Sequence, residues 1–129
     1  MTSSKVLVVD DDSESRGLIC EVLESNGYSV ASVADGRAAR EILEKDGDFR
    51  VVIADLRMPI ENGLDLLRNL REKNNRHEFI LMSSFISAAE RKSAERLGVR
   101  ALLDKPFRLS ELLQSVSELV GKKPIEITP

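Results

Sequence analysis

The sequence predicts a single α/β domain in which helices cover both faces of a parallel β-sheet. The chain has 129 residues, a length that suits one hydrophobic core and leaves no room for a second domain of any size. Short apolar runs alternate five times with amphipathic segments, which is the pattern of successive βα units. The runs are continuously apolar, as expected of strands that are buried on both faces of the sheet.

Each predicted strand is one of the short apolar runs. The five strands span 5–9, 28–33, 50–54, 79–83 and 100–103. Each predicted helix is an amphipathic segment with apolar residues at helical spacing. The five helices span 13–26, 35–46, 63–73, 87–97 and 109–121.

Residues favoured at helix ends support these boundaries. Side chains that cap helix N-termini stand at four of the predicted starts: Asp12 or Ser13, Asp35, Ser87 and Ser110. The remaining helix, the third, is predicted to follow Gly63. Glycine commonly marks the end of a helix. Gly27, Gly47 and Gly98 each follow a predicted helix, and the fifth helix ends at Gly121.

The last two helices differ in the apolar surface that they offer to a core. The helix at 109–121 has the clearest apolar stripe: Leu109, Leu112, Leu113, Val116, Leu119 and Val120. The helix at 87–97 has few apolar residues: Ala88, Ala89, Ala94 and Leu97. We therefore expect it to be the most loosely held helix of the domain.

The composition argues against several classes of protein. The formal net charge is −3 and the basic residues are scattered, so the chain has no basic surface for a nucleic-acid backbone. No stretch reaches the roughly 18 apolar residues of a membrane span, and the N-terminus lacks a basic segment followed by a long apolar one. We therefore expect a cytoplasmic protein. Cys20 is the only cysteine, which excludes an internal disulfide and favours an ordinary reduced thiol.

Polar residues follow four of the five strands where each strand ends. Asp10 and Asp11 follow the first strand, Asp55 the third, Ser83 ends the fourth, and Lys105 comes after the fifth. Ligands of open parallel sheets bind beyond these carboxyl ends. Carboxylates about 4 Å apart repel one another by roughly 4 kcal/mol at an effective dielectric constant of 20. Folding alone gives no reason for such a cluster, whereas Mg²⁺ binds one or two carboxylates and leaves room for phosphate oxygens.

In this order, these residues resemble the receiver domain of two-component response regulators, the CheY-like family. The resemblance covers the chain from residue 5 to about 121 and rests on four motifs: Val8-Val9-Asp10-Asp11-Asp12, Asp55 followed by Met58-Pro59 and Gly63, Ser83, and Lys105-Pro106-Phe107. It implies a flavodoxin-like (βα)5 sandwich of three layers with strand order 2-1-3-4-5. The receiver domain would span 1–121, and 122–129 would be a tail or the start of a linker.

The resemblance also implies a metal site and a phosphoryl acceptor. Asp55 would take a phosphoryl group from a phosphohistidine on a sensor histidine kinase or a histidine phosphotransfer protein. Asp11 and Asp55 would ligate Mg²⁺ directly and Asp10 mainly through water, with the backbone carbonyl of Arg57 as a further ligand. This use of a carboxylate nucleophile agrees with the general chemistry of phosphoryl transfer.

Two further residues would respond to the phosphoryl group. Lys105 would pair with its oxygens, and a cis Lys105–Pro106 bond would direct the ammonium into the pocket. The Ser83 hydroxyl would turn towards it. The resulting change would bias a partner surface formed by 87–97, 100–103 and 109–121, which would bind a downstream output protein or domain. The chain would then be a switch, with only self-phosphorylation and self-dephosphorylation as chemistry.

Two alternatives remain open at this point. The family usually has Tyr or Phe in the middle of the fifth strand, where this chain has Leu102, so a receiver-like adaptor that is never phosphorylated is possible. A Mg²⁺-dependent phosphatase with an aspartyl phosphate intermediate is the other. Such enzymes tend to have a second acid two residues after the nucleophile and a cap domain. Arg57 stands at that position, and the chain has no room for a cap.

Three other residues near these motifs invite an interpretation. Arg57 and Phe85 each lie two residues after a predicted site residue. We hypothesise that the guanidinium holds phosphoryl oxygens and that the ring excludes water, which would slow the loss of phosphate. His77 precedes the fourth strand, at the opposite end of the sheet from the site, and is expected to be a solvated loop residue.

Overall fold

The computed structural model describes residues 5–74 and 77–120. Strands and helices alternate: β1 Lys5–Val9, α1 Ser13–Ser25, β2 Ser29–Val33, α2 Gly36–Lys45, β3 Phe49–Asp55, α3 Gly63–Glu72, β4 Glu78–Ser83, α4 Ala88–Arg96, β5 Ala101–Asp104 and α5 Leu109–Val120. Every predicted element is present, and each predicted boundary that falls on the described residues lies within one residue of its prediction. The predicted helix end at Gly121 and the tail at 122–129 lie outside the described residues.

The five strands form one parallel sheet in the order β2-β1-β3-β4-β5. β1 lies between β2 and β3, so that Val8 stands beside Ser32 on one side and Ile53 on the other. The order of the strands reverses at β1, because the chain runs outwards to β2 and then returns to β3. A crevice forms at the carboxyl end of the sheet at such a point. The predicted fold, a flavodoxin-like three-layer sandwich, is confirmed.

Each face of the sheet packs against its own group of helices. In β1, Leu7 and Val9 face one core while Val6 and Val8 face the other, as the two-residue period of a strand requires. The first core includes α2, α3 and α4, and the second includes α1 and α5. The strands are therefore buried on both faces, which explains why their sequences are continuously apolar.

Side-chain caps begin four of the helices. In each case, the side-chain oxygen of the residue before the helix accepts a hydrogen bond from a backbone N–H of the first turn. These residues are Asp12, Asp35, Asn62 and Ser87. The third helix begins at Gly63 as predicted, and its cap is the preceding residue, Asn62. Asp12 is thus a helix cap, unlike the two acids before it in the sequence.

The expectation that His77 is solvated is wrong. Its side chain is 8% exposed, and Nδ1 lies 2.7 Å from the backbone carbonyl oxygen of Phe49. β3 begins at Phe49, one residue earlier than predicted, and its first carbonyl is a hydrogen-bonding partner for the ring. Buried polar groups are normally paired in this way. His77 does lie at the end of the sheet opposite to the acidic residues, as predicted.

The α4 helix is attached to the domain by little apolar surface. Of its nine residues only Ala94 is buried, whereas Ala88 and Ala89 are exposed. The neighbouring strand position Leu102 is half-buried and packs against the first core. Within the described ranges, none of the helices has the length and apolar content needed to cross a membrane.

Candidate functional site

The register of β1 and β3 brings three carboxylates together at one edge of the sheet. Val9 pairs with Ala54, so the next residues, Asp10 and Asp55, lie side by side. Asp10, Asp11 and Asp55 each offer a carboxylate oxygen, and these oxygens all lie within 4.8 Å of one another. Asp10 is fully buried and Asp55 is 6% exposed, while Asp11 faces solvent. The predicted acidic cluster is therefore present.

Asp10 has one carboxylate oxygen whose hydrogen-bonding capacity is unused. Its Oδ1 accepts a hydrogen bond of 3.0 Å from the backbone N–H of Asp12. Its Oδ2 is buried and accepts no hydrogen bond within 5–74 and 77–120. The Lys105 ammonium, 4.0 Å from this oxygen, compensates its burial only in part, because no donor in the described part of the chain lies within hydrogen-bonding distance. Three hard oxygen donors with one such oxygen among them suit a small divalent cation, so the residues present fit Mg²⁺.

Lys105 provides the positive charge of the cluster. Its Nζ donates a hydrogen bond of 2.6 Å to Asp55 Oδ2 and lies 4.0 Å from Asp10 Oδ2. Partial burial lowers the pKa of the ammonium, but the hydrogen bond to Asp55 and the charges of Asp55, Asp10 and Asp12 outweigh that effect, so the net pKa is raised. The Lys105–Pro106 peptide bond is cis, as the family resemblance implies.

Backbone contacts hold Lys105 and Asp55 at this edge. The backbone N–H of Lys105 donates to the carbonyl of Ser83 at 2.8 Å, which extends the pairing of β5 with β4. On the other side of the cluster, the backbone N–H of Arg57 donates to Asp55 Oδ1 at 2.9 Å. Gly63 packs against the same strand end, because a Cβ there would lie 2.7 Å from the Asp55 carbonyl oxygen.

The Ser83 hydroxyl bonds to its own loop in this structure. The side chain is fully buried, its Oγ donates a hydrogen bond of 2.8 Å to the Phe85 carbonyl, and the same oxygen accepts from the Phe85 N–H at 3.3 Å. The serine therefore lies at the carboxyl end of β4, as predicted. Its hydroxyl hydrogen is directed into the β4–α4 loop.

The guanidinium of Arg57 is paired with a residue of α4. Nη1 and Nη2 donate to the two carboxylate oxygens of Glu90 at 2.6 and 2.7 Å, and Nη2 also donates to the Phe85 carbonyl at 3.2 Å. The hydrogen bond with Arg57 is the main reason why the pKa of Glu90 is lowered. The hypothesis that Arg57 holds phosphoryl oxygens would require this pair to break. Phe85 is exposed, with 64% of its surface accessible.

Two acids that the sequence analysis did not single out also hold loops of the site. Glu90 is one of them. The other is Glu61, which is 8% exposed, lies 3.4 Å from Arg40 of α2 through Oε1, and accepts a hydrogen bond of 3.2 Å from Asn69 of α3 through Oε2. The spacing of Ser87 and Glu90 is that of a capping box, so this part of Glu90's role was visible in the sequence. No sequence signal indicated the long-range partner of Glu90, which is Arg57, or the partners of Glu61.

The sequence matches the profile of the response regulator receiver domain over residues 6–117. The chain belongs to this family. This receiver domain is 35% identical over 118 residues to the response regulator MprA of Mycolicibacterium vanbaalenii, in an alignment that covers 92% of this chain and 51% of that protein. It is 34% identical over 122 residues to the sensor kinase CckA of Brucella abortus, covering 94% of this chain and 13% of the kinase.

A solved structure shows the same fold with a metal ion. It is the receiver domain of a sensor histidine kinase from Pseudomonas aeruginosa, with a magnesium ion coordinated in the active-site cleft. The TM-score is 0.82 at 27% sequence identity, and the match covers 94% of this chain and 100% of that chain. The present receiver domain spans about half the length of the regulators that it matches.

Proposed function

We propose that this receiver domain accepts a phosphoryl group on Asp55 and thereby switches a protein–protein interaction. The observation that supports this most directly is the cluster itself. Three carboxylate oxygens lie within 4.8 Å of one another, and the Lys105 ammonium is 2.6 Å from Asp55. The carboxylates can bind a cation and the ammonium can bind an anion. The cluster therefore suits a phosphoryl group bound beside Mg²⁺.

Asp11 and Asp55 would hold the Mg²⁺ directly, Asp10 mainly through water, and the backbone carbonyl of Arg57 would complete the protein's share of ligands. The buried Oδ2 of Asp10, which accepts no hydrogen bond from the described residues, supports this assignment. So does the magnesium ion in the cleft of the related receiver domain from Pseudomonas aeruginosa. The ion, when bound, would neutralise negative charge on the transferring phosphoryl group.

The residues of the chain would position the acceptor for an in-line transfer. A carboxylate oxygen of Asp55 forms a bond to phosphorus while the P–N bond of the donor phosphohistidine breaks, and the electron pair leaves with the imidazole nitrogen. The Arg57 N–H holds Oδ1 of Asp55 at 2.9 Å, which orients the carboxylate. Lys105 would then pair with the phosphoryl oxygens instead of with the bare carboxylate.

The new charge would be transmitted through the β4–α4 loop. Phosphorylation adds about two negative charges, which would draw the Ser83 hydroxyl away from the Phe85 carbonyl. The α4 helix follows this loop and has one buried residue, so its position is easily biased. The surface of α4, β5 and α5 would bind the output protein or domain, and a histidine kinase or phosphotransfer protein would supply the phosphoryl group.

Beryllofluoride, a mimic of the phosphoryl group, tests this proposal. With Mg²⁺ it should raise the melting temperature and shift backbone amide NMR signals in the β4–α4 loop. At about 100 times the dissociation constant, the stabilisation is about 2.7 kcal/mol. Asp55→Asn should lose the response. Asp12→Asn is the matched control, because Asp12 caps α1, asparagine caps equally well, and the response should persist.

A chemical test with a small phosphodonor complements the binding test. Incubation with acetyl phosphate and Mg²⁺ should add the mass of one phosphoryl group to the wild type and none to Asp55→Asn. A wild type that takes up neither beryllofluoride nor phosphate would contradict the proposal and favour an adaptor that is not phosphorylated. Hydrolysis of a phosphomonoester substrate, which self-phosphorylation from acetyl phosphate and self-dephosphorylation do not account for, would instead favour a phosphatase.

A further inference from the structure

The Arg57–Glu90 pair joins the acceptor loop to the start of α4. Arg57 lies in the loop after β3, and its backbone N–H is bonded to the acceptor carboxylate. Its guanidinium is held by both oxygens of Glu90, at 2.6 and 2.7 Å. Such two-point contact between a guanidinium and a carboxylate is stronger and more directional than a single ion pair. The two residues are 33 positions apart in the sequence, so the contact connects separate elements.

Glu90 has a second task within α4. Its Oε1 accepts a hydrogen bond of 3.0 Å from the backbone N–H of Ser87, while the Ser87 hydroxyl accepts one of 3.1 Å from the Glu90 N–H. These reciprocal bonds form a capping box. The oxygen that caps the helix is therefore the same one that binds Nη2 of Arg57. A movement of the guanidinium must alter the surroundings of the helix cap.

The Phe85 carbonyl adds a third connection to this contact. It accepts hydrogen bonds from the Ser83 hydroxyl at 2.8 Å and from Arg57 Nη2 at 3.2 Å. The predicted switch hydroxyl and the guanidinium thus share one acceptor in the β4–α4 loop. Because α4 buries only Ala94, these polar contacts form a large part of what holds its first turn.

We infer that Glu90 is a positioning residue of the acceptor site, which holds the Arg57 guanidinium on α4 and away from the acceptor carboxylate. This inference rests on the proposed function of Asp55. A phosphoryl group at Asp55 offers the guanidinium a competing anion two residues away along the chain. When Arg57 moves to that anion, Glu90 loses its partner and the first turn of α4 loses a constraint. The pair therefore favours the unphosphorylated conformation.

Glu90→Gln separates the two tasks of Glu90. Glutamine at this position still completes a capping box, but it removes the charge that holds Arg57. With Mg²⁺ present, beryllofluoride should bind this variant about three- to fivefold more tightly than the wild type, the scale on which partly exposed ion pairs shift equilibria. Ser87→Ala is the matched control, because it breaks the cap and keeps the ion pair. It should lower the melting temperature and leave the beryllofluoride affinity within about twofold, less than an exposed ion pair can contribute.

A double-mutant cycle with Arg57→Ala distinguishes release of the guanidinium from the loss of a negative charge. If only the loss of negative charge matters, Glu90→Gln should tighten beryllofluoride binding by the same factor in the wild type and in Arg57→Ala. The inference requires a larger factor when Arg57 is present. It also requires the Arg57 Nε–Hε NMR signal to shift when beryllofluoride is added. Equal factors in both backgrounds, or an unmoved Arg57 signal, would overturn it. A wild type that does not bind beryllofluoride would instead refute the proposed function of Asp55.

Discussion

Replacing Ile60 by glycine should stabilise this receiver domain. Ile60 has a φ of 69°, in the left-handed region that β-branched residues rarely adopt. Its side chain is 82% exposed, so little burial holds it in place. The conformation is imposed by its neighbours, since Glu61 is fastened to two helices and its N–H donates to the Pro59 carbonyl at 2.7 Å. The strain at Ile60 is thus stored in the loop that follows Asp55.

The magnitude follows from two opposing contributions. A left-handed conformation costs a residue with a Cβ about 1–2 kcal/mol, which glycine avoids. Glycine loses about 0.5–1 kcal/mol more conformational entropy on folding than a residue with a side chain. From the midpoints of these two ranges, Ile60→Gly should raise the free energy of unfolding by about 0.7 kcal/mol. For a domain of this size, that corresponds to an increase of roughly 2–5 °C in melting temperature.

Urea unfolding monitored by circular dichroism, without Mg²⁺, measures this change. Ile60→Ala is the control, because it removes the exposed side chain and keeps the Cβ and its strain. The glycine variant should be more stable than the alanine variant, which should resemble the wild type. A glycine variant that is no more stable than the alanine variant would refute the reasoning, because the backbone at Ile60 would then carry no strain.

Three other substitutions test separate contacts. Gly63→Ala should lower the free energy of unfolding by about 1–3 kcal/mol in urea titrations, because its Cβ would lie 2.7 Å from the Asp55 carbonyl oxygen; unchanged stability would mean that the loop can move aside. In the Ile60→Gly background, where the strain at residue 60 is already relieved, Glu61→Ala should cost about 1–3 kcal/mol in the same assay, since it removes the carboxylate partner of a partly buried arginine of α2. A neutral result there would show that this pair contributes nothing. The hydrogen bond from Lys5 lowers the pKa of Asp46, so the stability from this pair is present above the ordinary aspartate pKa of about 4 and is lost as pH falls through the lowered value. Lys5→Met should thus reduce the loss of melting temperature in acid, and parallel pH profiles of variant and wild type would contradict that assignment.

The fold class, the element boundaries and the residues at the strand ends could be predicted from the amino-acid sequence. The reason is local. A strand buried on both faces must be continuously apolar, as Val6–Val9 is, and a helix start needs a capping side chain such as Asp35. In a parallel sheet, the residues that follow the strands meet at one edge, so the cluster of Asp10, Asp11 and Asp55 could be predicted without coordinates.

The pairing of side chains between different helices, strands and loops could not be predicted from the sequence and depends on the folded structure. The His77 ring lies at hydrogen-bonding distance from the Phe49 carbonyl oxygen, and the Arg57 guanidinium is paired with Glu90. Such pairs depend on ångström-scale distances between segments that are far apart in the sequence, and neither periodicity nor composition contains that information. The left-handed backbone at Ile60 is of the same kind. Isoleucine disfavours that conformation on local grounds, and contacts of the neighbouring Glu61 with two helices hold the loop there.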